Sequence, residues 1–177
     1  VVPATWSWPG VSIEVLHPAP GLPYLGNDSS CVLSVQAGRH SALLTGDISR
    51  QVENRLLQEN VARHAFLLVP HHGSKSSYSN GFIRQVDPDL AVAKASLGNR
   101  FGFPRADTRG RYEFRGTRFL STGECGAIRL RLFPDGGMEA RSARRVKNRA
   151  WRWPAAGTCP SRVQSSFMYH LDSQSME

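Results

Sequence analysis

The chain has 177 residues, of which 40% are hydrophobic, and its formal net charge at pH 7 is +8. This length suits one globular domain with a core of its own. No apolar run approaches the roughly 20 residues that cross a bilayer, so we expect the chain alone to be soluble. The first ten residues, VVPATWSWPG, have no signal-peptide pattern and no initiator methionine, which suggests a piece of a longer protein.

The positive charge is concentrated near the C-terminus. Residues 139–177 hold seven Lys or Arg and three acidic residues, which contributes +4, and regular periodicity stops after Pro134. We therefore predict a domain over residues 1–138 and a basic, mostly irregular tail over residues 139–177. Such a tail suggests an anionic partner, nucleic acid or lipid headgroups, although a solvated tail that aids solubility explains the charge equally well.

The three cysteines are widely spaced. Cys31, Cys125 and Cys159 form no C-x-x-C pair, which argues against a zinc ribbon and against a disulfide framework. Because Cys31 lies in an apolar segment, we expect it to be a small core residue.

The first half of the chain reads as strands followed by a helix. Residues 11–16 alternate as a half-buried strand does, residues 30–36 are rich in β-branched side chains, and a third strand over 40–45 ends at Gly46 and Asp47. Apolar residues at helical spacing then predict a helix over 48–62. The run AFLLV, residues 65–69, has no polar face, which is typical of a strand in a sheet covered on both sides.

The second half continues the alternation. The segment YSNGFIRQVDPD predicts a short helix that Pro88 closes, LAVAKAS a strand, and residues 105–115 a helix. The segments TRFLS and GAIRLRLF predict two final strands. This order indicates a mixed α/β fold with helices packed on a sheet.

Polar residues follow two of the predicted strands. LLTGD presents Asp47, and LLVPHHGS presents His71 and His72. Residues just past the carboxyl ends of strands in an α/β sheet converge on one crevice. A carboxylate and an imidazole together suit a divalent ion such as Zn²⁺ or Mn²⁺. The pattern therefore indicates a metal site.

Structural alternatives stand beside this interpretation. Asp47 lies where the N-cap of the following helix is expected, and HHGSKSS can be an ordinary polar turn. His17 and His40 lie beside strands, where structural or exposed roles are expected, while His64 and His170 have no partner pattern.

Three segments carry a resemblance to a known family: NDSSCVLSVQAGRHSALLTGDISRQVENRLL, LLVPHHGSKSSYSNGFIRQVDPDLAVAKASLGNRFGFP and GTRFLSTGECGAIRLRL. Together, over roughly residues 11–133, they resemble the C-terminal metallo-β-lactamase-like domain of the ComEC competence-protein family, whose members are inner-membrane channels for transforming DNA. The resemblance implies an αββα sandwich, of which residues 1–138 would form the C-terminal half.

The resemblance also implies roles for individual residues. Two divalent ions, manganese or zinc, are the expected cofactors, with Asp47 bridging them and one of His71 and His72 as a further ligand; we favour His71. These three residues are the candidate catalytic and metal-binding groups. The candidate substrate-binding residues are Asn27, Ser74, Lys75 and Arg100, with Arg105 a further basic candidate. Capping of the turn is the alternative role for Ser74.

The chain also departs from the family pattern. It contains neither a D-x-G-Q-G-D-like strand end nor an H-x-D-x-D-H-type cluster, and Phe103 stands where the family often has a histidine. One Asp with one or two His is too few to hold two catalytic ions tightly. We therefore expect a fragment without the first half of the domain, and no appreciable activity from the isolated chain.

The function that the resemblance implies is phosphodiester hydrolysis of incoming DNA in the intact protein. The expected partners are DNA, the remainder of the membrane channel and other competence proteins. The parent protein would lie in the inner membrane, with the hydrolase domain on the periplasmic side. Two alternatives stay open: a catalytically inactive DNA-binding or structural half-domain, and a metallohydrolase of a small ester.

Overall fold

A computed structural model describes residues 4–77, 79–133, 137–143, 159 and 162–165. Seven strands form one sheet in sequence order: β1 Thr5–Trp8, β2 Val11–His17, β3 Val32–Ala37, β4 His40–Leu44, β5 Phe66–Leu68, β6 Leu90–Ala93 and β7 Arg118–Ser121. The pairs from β1 to β4 are antiparallel, whereas those from β4 to β7 are parallel. The sheet is therefore mixed.

Helices connect the parallel strands. Their bounds are α1 Arg50–Gln58, α2 Asn80–Val86 and α3 Ala106–Phe114, and a short helix α4 follows at Thr122–Cys125. A serine hydroxyl marks the start of α1 and of α2: Ser49 accepts from the N–H of Gln51, and Ser79 accepts from the N–H of Phe82. These hydroxyls satisfy N–H groups that have no partner within the helix.

One face of the parallel strands is buried under the helices. Leu43, Leu67, Ala91 and Phe119 are register neighbours across β4, β5, β6 and β7. They pack in one core cluster with apolar residues of α1, α2 and α3. This row explains why β5 needs no polar side chain on its helical face.

A second sheet covers the opposite face. The register row Leu44, Leu68, Val92 and Leu120 belongs to a cluster with residues of β8 Ile128–Leu132, β9 Met138–Ser142 and β10 Arg162–Ser165. These three strands pair antiparallel in the order β10-β9-β8. The described residues thus form a helix layer and two stacked sheets. This confirms the α/β class and is consistent with an αββα sandwich.

The tail differs from the sequence prediction. Residues 139–177 were predicted to be mostly irregular, but Met138–Ser142 and Arg162–Ser165 are strands of the second sheet. Met138, Ala140 and Val163 are buried against the larger sheet. Most of residues 144–177 lies outside the described part of the chain. The described strands therefore cover the core, which no purely solvated tail would do.

The cysteine predictions were wrong in two respects. Cys125 and Cys159 form a disulfide across 34 residues of sequence, which links the end of α4 to the chain segment before β10. Cys31 is exposed rather than a core residue. The strand β1 and the short helix α4 were also not predicted. Within the described residues, no helix has the length and apolarity needed to span a bilayer.

Candidate metal and substrate site

Two loops carry the candidate site, and backbone contacts join them. The loops follow β4 and β5, which are adjacent and parallel. The Thr45 hydroxyl donates to the carbonyl of Leu68 at 2.6 Å, and the N–H of His71 donates to the carbonyl of Gly46 at 3.0 Å. The carboxyl ends of the two strands therefore present their polar side chains at one edge of the sheet.

Asp47 and His72 are in contact at this edge. His72 Nε2 lies 3.4 Å from Asp47 Oδ1, and the side chains are 31% and 38% exposed. Ligand atoms about 2.1 Å from a tetrahedral zinc ion are about 3.4 Å apart. The two atoms thus fit one edge of a coordination sphere and remain open to solvent and substrate.

The rest of a coordination sphere is not present among the described residues. Within them, no three His, Cys, Asp or Glu side chains gather in an arrangement that could hold an ion. Asp47 and His72 therefore fit as two ligands of a metal ion, and a tightly bound ion would need further ligands.

His71 lies beside this pair with a different environment. Its ring centroid is 6.2 Å from that of His72. The Ser76 hydroxyl lies 3.0 Å from His71 Nδ1, and the Asn27 amide nitrogen lies 3.5 Å from His71 Nε2. The family resemblance favours His71 as the ligand, but in the structure His72 is the histidine next to Asp47.

The backbone of the histidine turn is strained. His71 and His72 have φ angles of 45° and 58°, and Gly73 continues the left-handed region at 83°. Such angles cost a residue other than glycine about 1–3 kcal/mol, although histidine tolerates them better than most residues. A Cβ on Gly73 would lie 2.7 Å from Cβ of Pro104. Packing against the Pro104 loop therefore holds the turn in this conformation.

The alternative role of Asp47 as a helix cap is wrong. Ser49 is the N-cap of α1, and its backbone N–H and hydroxyl donate to the Asp28 carboxylate at 2.7 and 2.8 Å. Asp47 instead donates its backbone N–H to the Ser30 hydroxyl at 3.1 Å. The Asp47 carboxylate lies against His72 rather than at the start of the helix.

The predicted substrate-binding residues divide into two groups. Asn27, Lys75 and Arg100 are exposed, and Asn27 contacts His71. Ser74 is buried, its hydroxyl lies 2.6 Å from that of Ser76, and it accepts the backbone N–H of Ser76 at 3.2 Å. These contacts support the turn role of Ser74. The side chain of the further basic candidate, Arg105, is also exposed.

Sequence reasoning missed two features of the site. Ser76 orients His71, and the only signal for it was the run of hydroxyl residues after the histidines. Phe101 stacks on Phe103, which in turn contacts the edge of the His71 ring at 6.2 Å between centroids. Phe103 was considered only as a missing histidine. The F-x-F spacing in a glycine-containing loop could have indicated an aromatic surface.

The remaining described histidines are structural. His17 Nε2 lies 2.6 Å from the carbonyl of Asp28, and His40 is buried. His64 contacts the Ser34 hydroxyl and the Ala62 carbonyl, each at 2.8 Å, and burial lowers the pKa of His64. None of these three joins the cluster at Asp47, and His170 lies outside the described residues.

Comparisons with known proteins identify relatives of the chain. It is 33% identical over 133 residues to Uncharacterized protein YcaI of Escherichia coli (strain K12), a match that covers 74% of this chain and 18% of that protein. It is 33% identical over 144 residues to Competence protein ComA of Neisseria gonorrhoeae, a match that covers 80% of this chain and 21% of that protein. It is 32% identical over 139 residues to Recombination protein 2 of Haemophilus influenzae, a match that covers 78% of this chain and 17% of that protein. No protein-family model matches the chain. The matched segment spans about a fifth of the length of these relatives.

Proposed function

Because the chain belongs to the ComEC family of competence proteins, we propose that it forms part of a metal-dependent phosphodiesterase domain that processes DNA during uptake. The relatives include a competence protein and a recombination protein. The observation that carries the proposal is the 3.4 Å contact between Asp47 and His72 at the carboxyl ends of two adjacent parallel strands.

In this proposal Asp47 and His72 hold a divalent ion, manganese or zinc, together with ligands outside the described residues. When bound, such an ion activates water as a nucleophile and stabilises charge on the attacked phosphate, and two ions are expected in the complete domain. The carboxylate and the imidazole are matched in chemistry to these metals. Their partial exposure leaves room for a phosphate beside them.

His71 has a separate role in the proposal. The Ser76 hydroxyl fixes the ring of His71 through Nδ1, and Nε2 of His71 lies beside the exposed side chain of Asn27. A ring held in this way can transfer a proton to or from an oxygen of the phosphodiester. The exposed cations Lys75 and Arg100 attract the phosphate backbone to the same edge.

The proposal extends to the setting of the full-length protein. That protein would lie in the inner membrane with this domain on the periplasmic side, and its partners would be the rest of the channel and other competence proteins. A second function is a catalytically inactive half-domain that binds DNA. It is favoured by the small number of metal ligands, because the described residues gather no third ligand beside Asp47 and His72. These two functions predict the same binding and different catalysis.

The experiment uses the full-length protein with Mn²⁺ or Zn²⁺ and labelled DNA. We expect cleavage that Asp47→Ala and His72→Ala each abolish, with circular dichroism unchanged. Glu59→Ala is the matched control, because Glu59 is an exposed carboxylate at the C-cap of α1 that pairs with Arg55. Cleavage retained in Asp47→Ala would refute the ligand role. DNA binding without any cleavage by the unaltered protein would favour the inactive half-domain. Hydrolysis of a small ester without effect on DNA would favour a metallohydrolase of a small ester.

A further inference from the structure

A line of stacked rings leads from the surface to the candidate site. The guanidinium carbon of Arg100 lies 4.7 Å from the ring centroid of Phe101. Phe101 stacks on Phe103 at 5.5 Å with an angle of 19° between the rings, and Phe103 meets His71 edge-on at 6.2 Å. His71 is the neighbour of His72 and thus of the Asp47 pair.

We propose that Phe101 and Phe103 form a stacking platform for an unpaired nucleobase, so that the site takes single-stranded nucleic acid. This inference rests on the proposed function, which places the phosphodiester at the Asp47–His72 pair. It adds that the strand is unpaired and that the two phenylalanines select it. A base on the Phe101 ring would take the place of the Arg100 guanidinium. That flexible, exposed side chain would then pair with the neighbouring phosphate.

The exposure of the platform favours this role. Phe101 is 53% exposed although it is a large apolar side chain. Every nucleobase has a π-face, so an exposed aromatic ring beside cations is the usual element of single-strand binding. Bases within a duplex stack on one another and cannot reach such a ring, which is why the platform selects unpaired strands.

The loop that carries the rings is held in place before any ligand arrives. The Asn99 side chain donates to the carbonyl of Phe103 at 2.6 Å and accepts the N–H of Phe103 at 3.0 Å. The N–H of Gly102 donates to the carbonyl of Asn99 at 3.0 Å, and the N–H of Arg105 donates to that of Gly73 at 3.0 Å. A platform built in this way needs little ordering on binding.

The charge around the rings matches a phosphate backbone. From Leu90 to Ala106 the chain contains no Asp or Glu, and its three cations are exposed: Lys94, Arg100 and Arg105. Lys75 adds a fourth exposed cation on the histidine loop. Cations that track the backbone beside aromatic rings that stack bases are the combination that single-stranded nucleic acids require.

The test measures binding, not cleavage, with the 177-residue chain in EDTA. Fluorescence anisotropy compares a labelled single-stranded oligonucleotide, an abasic oligonucleotide of the same length, and a duplex. We expect the unaltered chain to prefer the single strand, and Phe101→Ala to weaken its affinity roughly 5- to 150-fold while binding of the abasic strand stays unchanged. Phe101→Tyr retains a ring and should restore affinity. Phe114→Ala is the matched control, because Phe114 is 93% exposed at the far end of α3.

The outcomes separate this inference from the proposed function. Equal affinity of the unaltered chain for single-stranded and abasic oligonucleotides would overturn the platform, as would equal losses for Phe101→Ala and Phe114→Ala. Because the measurement contains no metal, a full-length protein that cleaves nothing would defeat the proposed function and leave a positive stacking result standing. Cleavage by the full-length protein, with no contribution from Phe101 to binding, would support the proposed function and overturn the platform.

Discussion

Glu53 should make the fold less stable as the pH rises. This residue of α1 is fully buried, its Oε2 accepts the N–H of Ser79 at 2.7 Å, and its Oε1 has no hydrogen-bond partner among the residues that the structure describes. Burial raises the pKa of Glu53 from its ordinary value of 4.5 to about 7, against smaller opposing effects of the Ser79 hydrogen bonds and of Arg50. Tyr112 faces it from α3, and burial together with the Glu53 charge raises the pKa of Tyr112.

The direction of this pH dependence follows from the proton that Glu53 retains in the folded state. Between pH 4.5 and about 7 the folded chain holds a proton on Glu53 that the unfolded chain has released, so raising the pH favours unfolding. The stabilisation is complete below pH 4.5 and is lost as the pH passes about 7. A pKa raised by this amount corresponds to about 3 kcal/mol in the free energy of unfolding.

The assay is urea unfolding followed by circular dichroism at pH 4, 6 and 8.5. Glu53→Gln retains the acceptor for Ser79 and removes the titration. We therefore expect the free energy of unfolding of the variant, relative to that of the unaltered chain, to rise by about 3 kcal/mol from the lowest to the highest pH. Glu59→Gln, an exposed position at the C-cap of the same helix, should show no such gain. A constant difference between Glu53→Gln and the unaltered chain across the range would refute the reasoning.

Three further predictions concern stability and can share the same unfolding assay. Gly73→Ala should destabilise the chain by at least about 1–3 kcal/mol, because its φ is 83° and a Cβ would strike the loop before α3; an unchanged midpoint would contradict this. Arg109 makes two hydrogen bonds to the Glu124 carboxylate, at 3.0 and 2.6 Å, so a double-mutant cycle should give a coupling of about 0.5–3 kcal/mol, and additive losses would reject it. Replacing Cys125 and Cys159 with serine should cost about 4 kcal/mol for a loop of 34 residues; equal stability under oxidising conditions would exclude that contribution.

Much of the central sheet could be predicted from the sequence, because burial on both faces leaves a clear signal. The segment around Phe66–Leu68 has no polar residue, and its register neighbours in β4 and β6 are apolar for the same reason. The strands β9 and β10 gave a weaker signal. Each is short and rich in polar residues, since only one side of the second sheet packs on the larger sheet in the described part.

The candidate site could be predicted by residue type and not by contact. The strand ends predicted that Asp47 and the two histidines would share one edge, and the structure brings Asp47 and His72 to 3.4 Å. Which histidine meets the carboxylate depends on left-handed backbone angles at both positions. Those angles depend on the packing of Gly73 against Pro104, a contact between segments about 30 residues apart that no local pattern reports.

The most direct test of the account is whether Asp47 and His72 bind one metal ion together. Imidazole nitrogen resonances of the ¹⁵N-labelled chain can be followed during titration with Zn²⁺. The account predicts that His72 Nε2 shifts first and that Asp47→Asn removes the shift, while the resonances of the buried His64 stay unchanged. A first shift at His71, or a shift at His72 that survives Asp47→Asn, would contradict it.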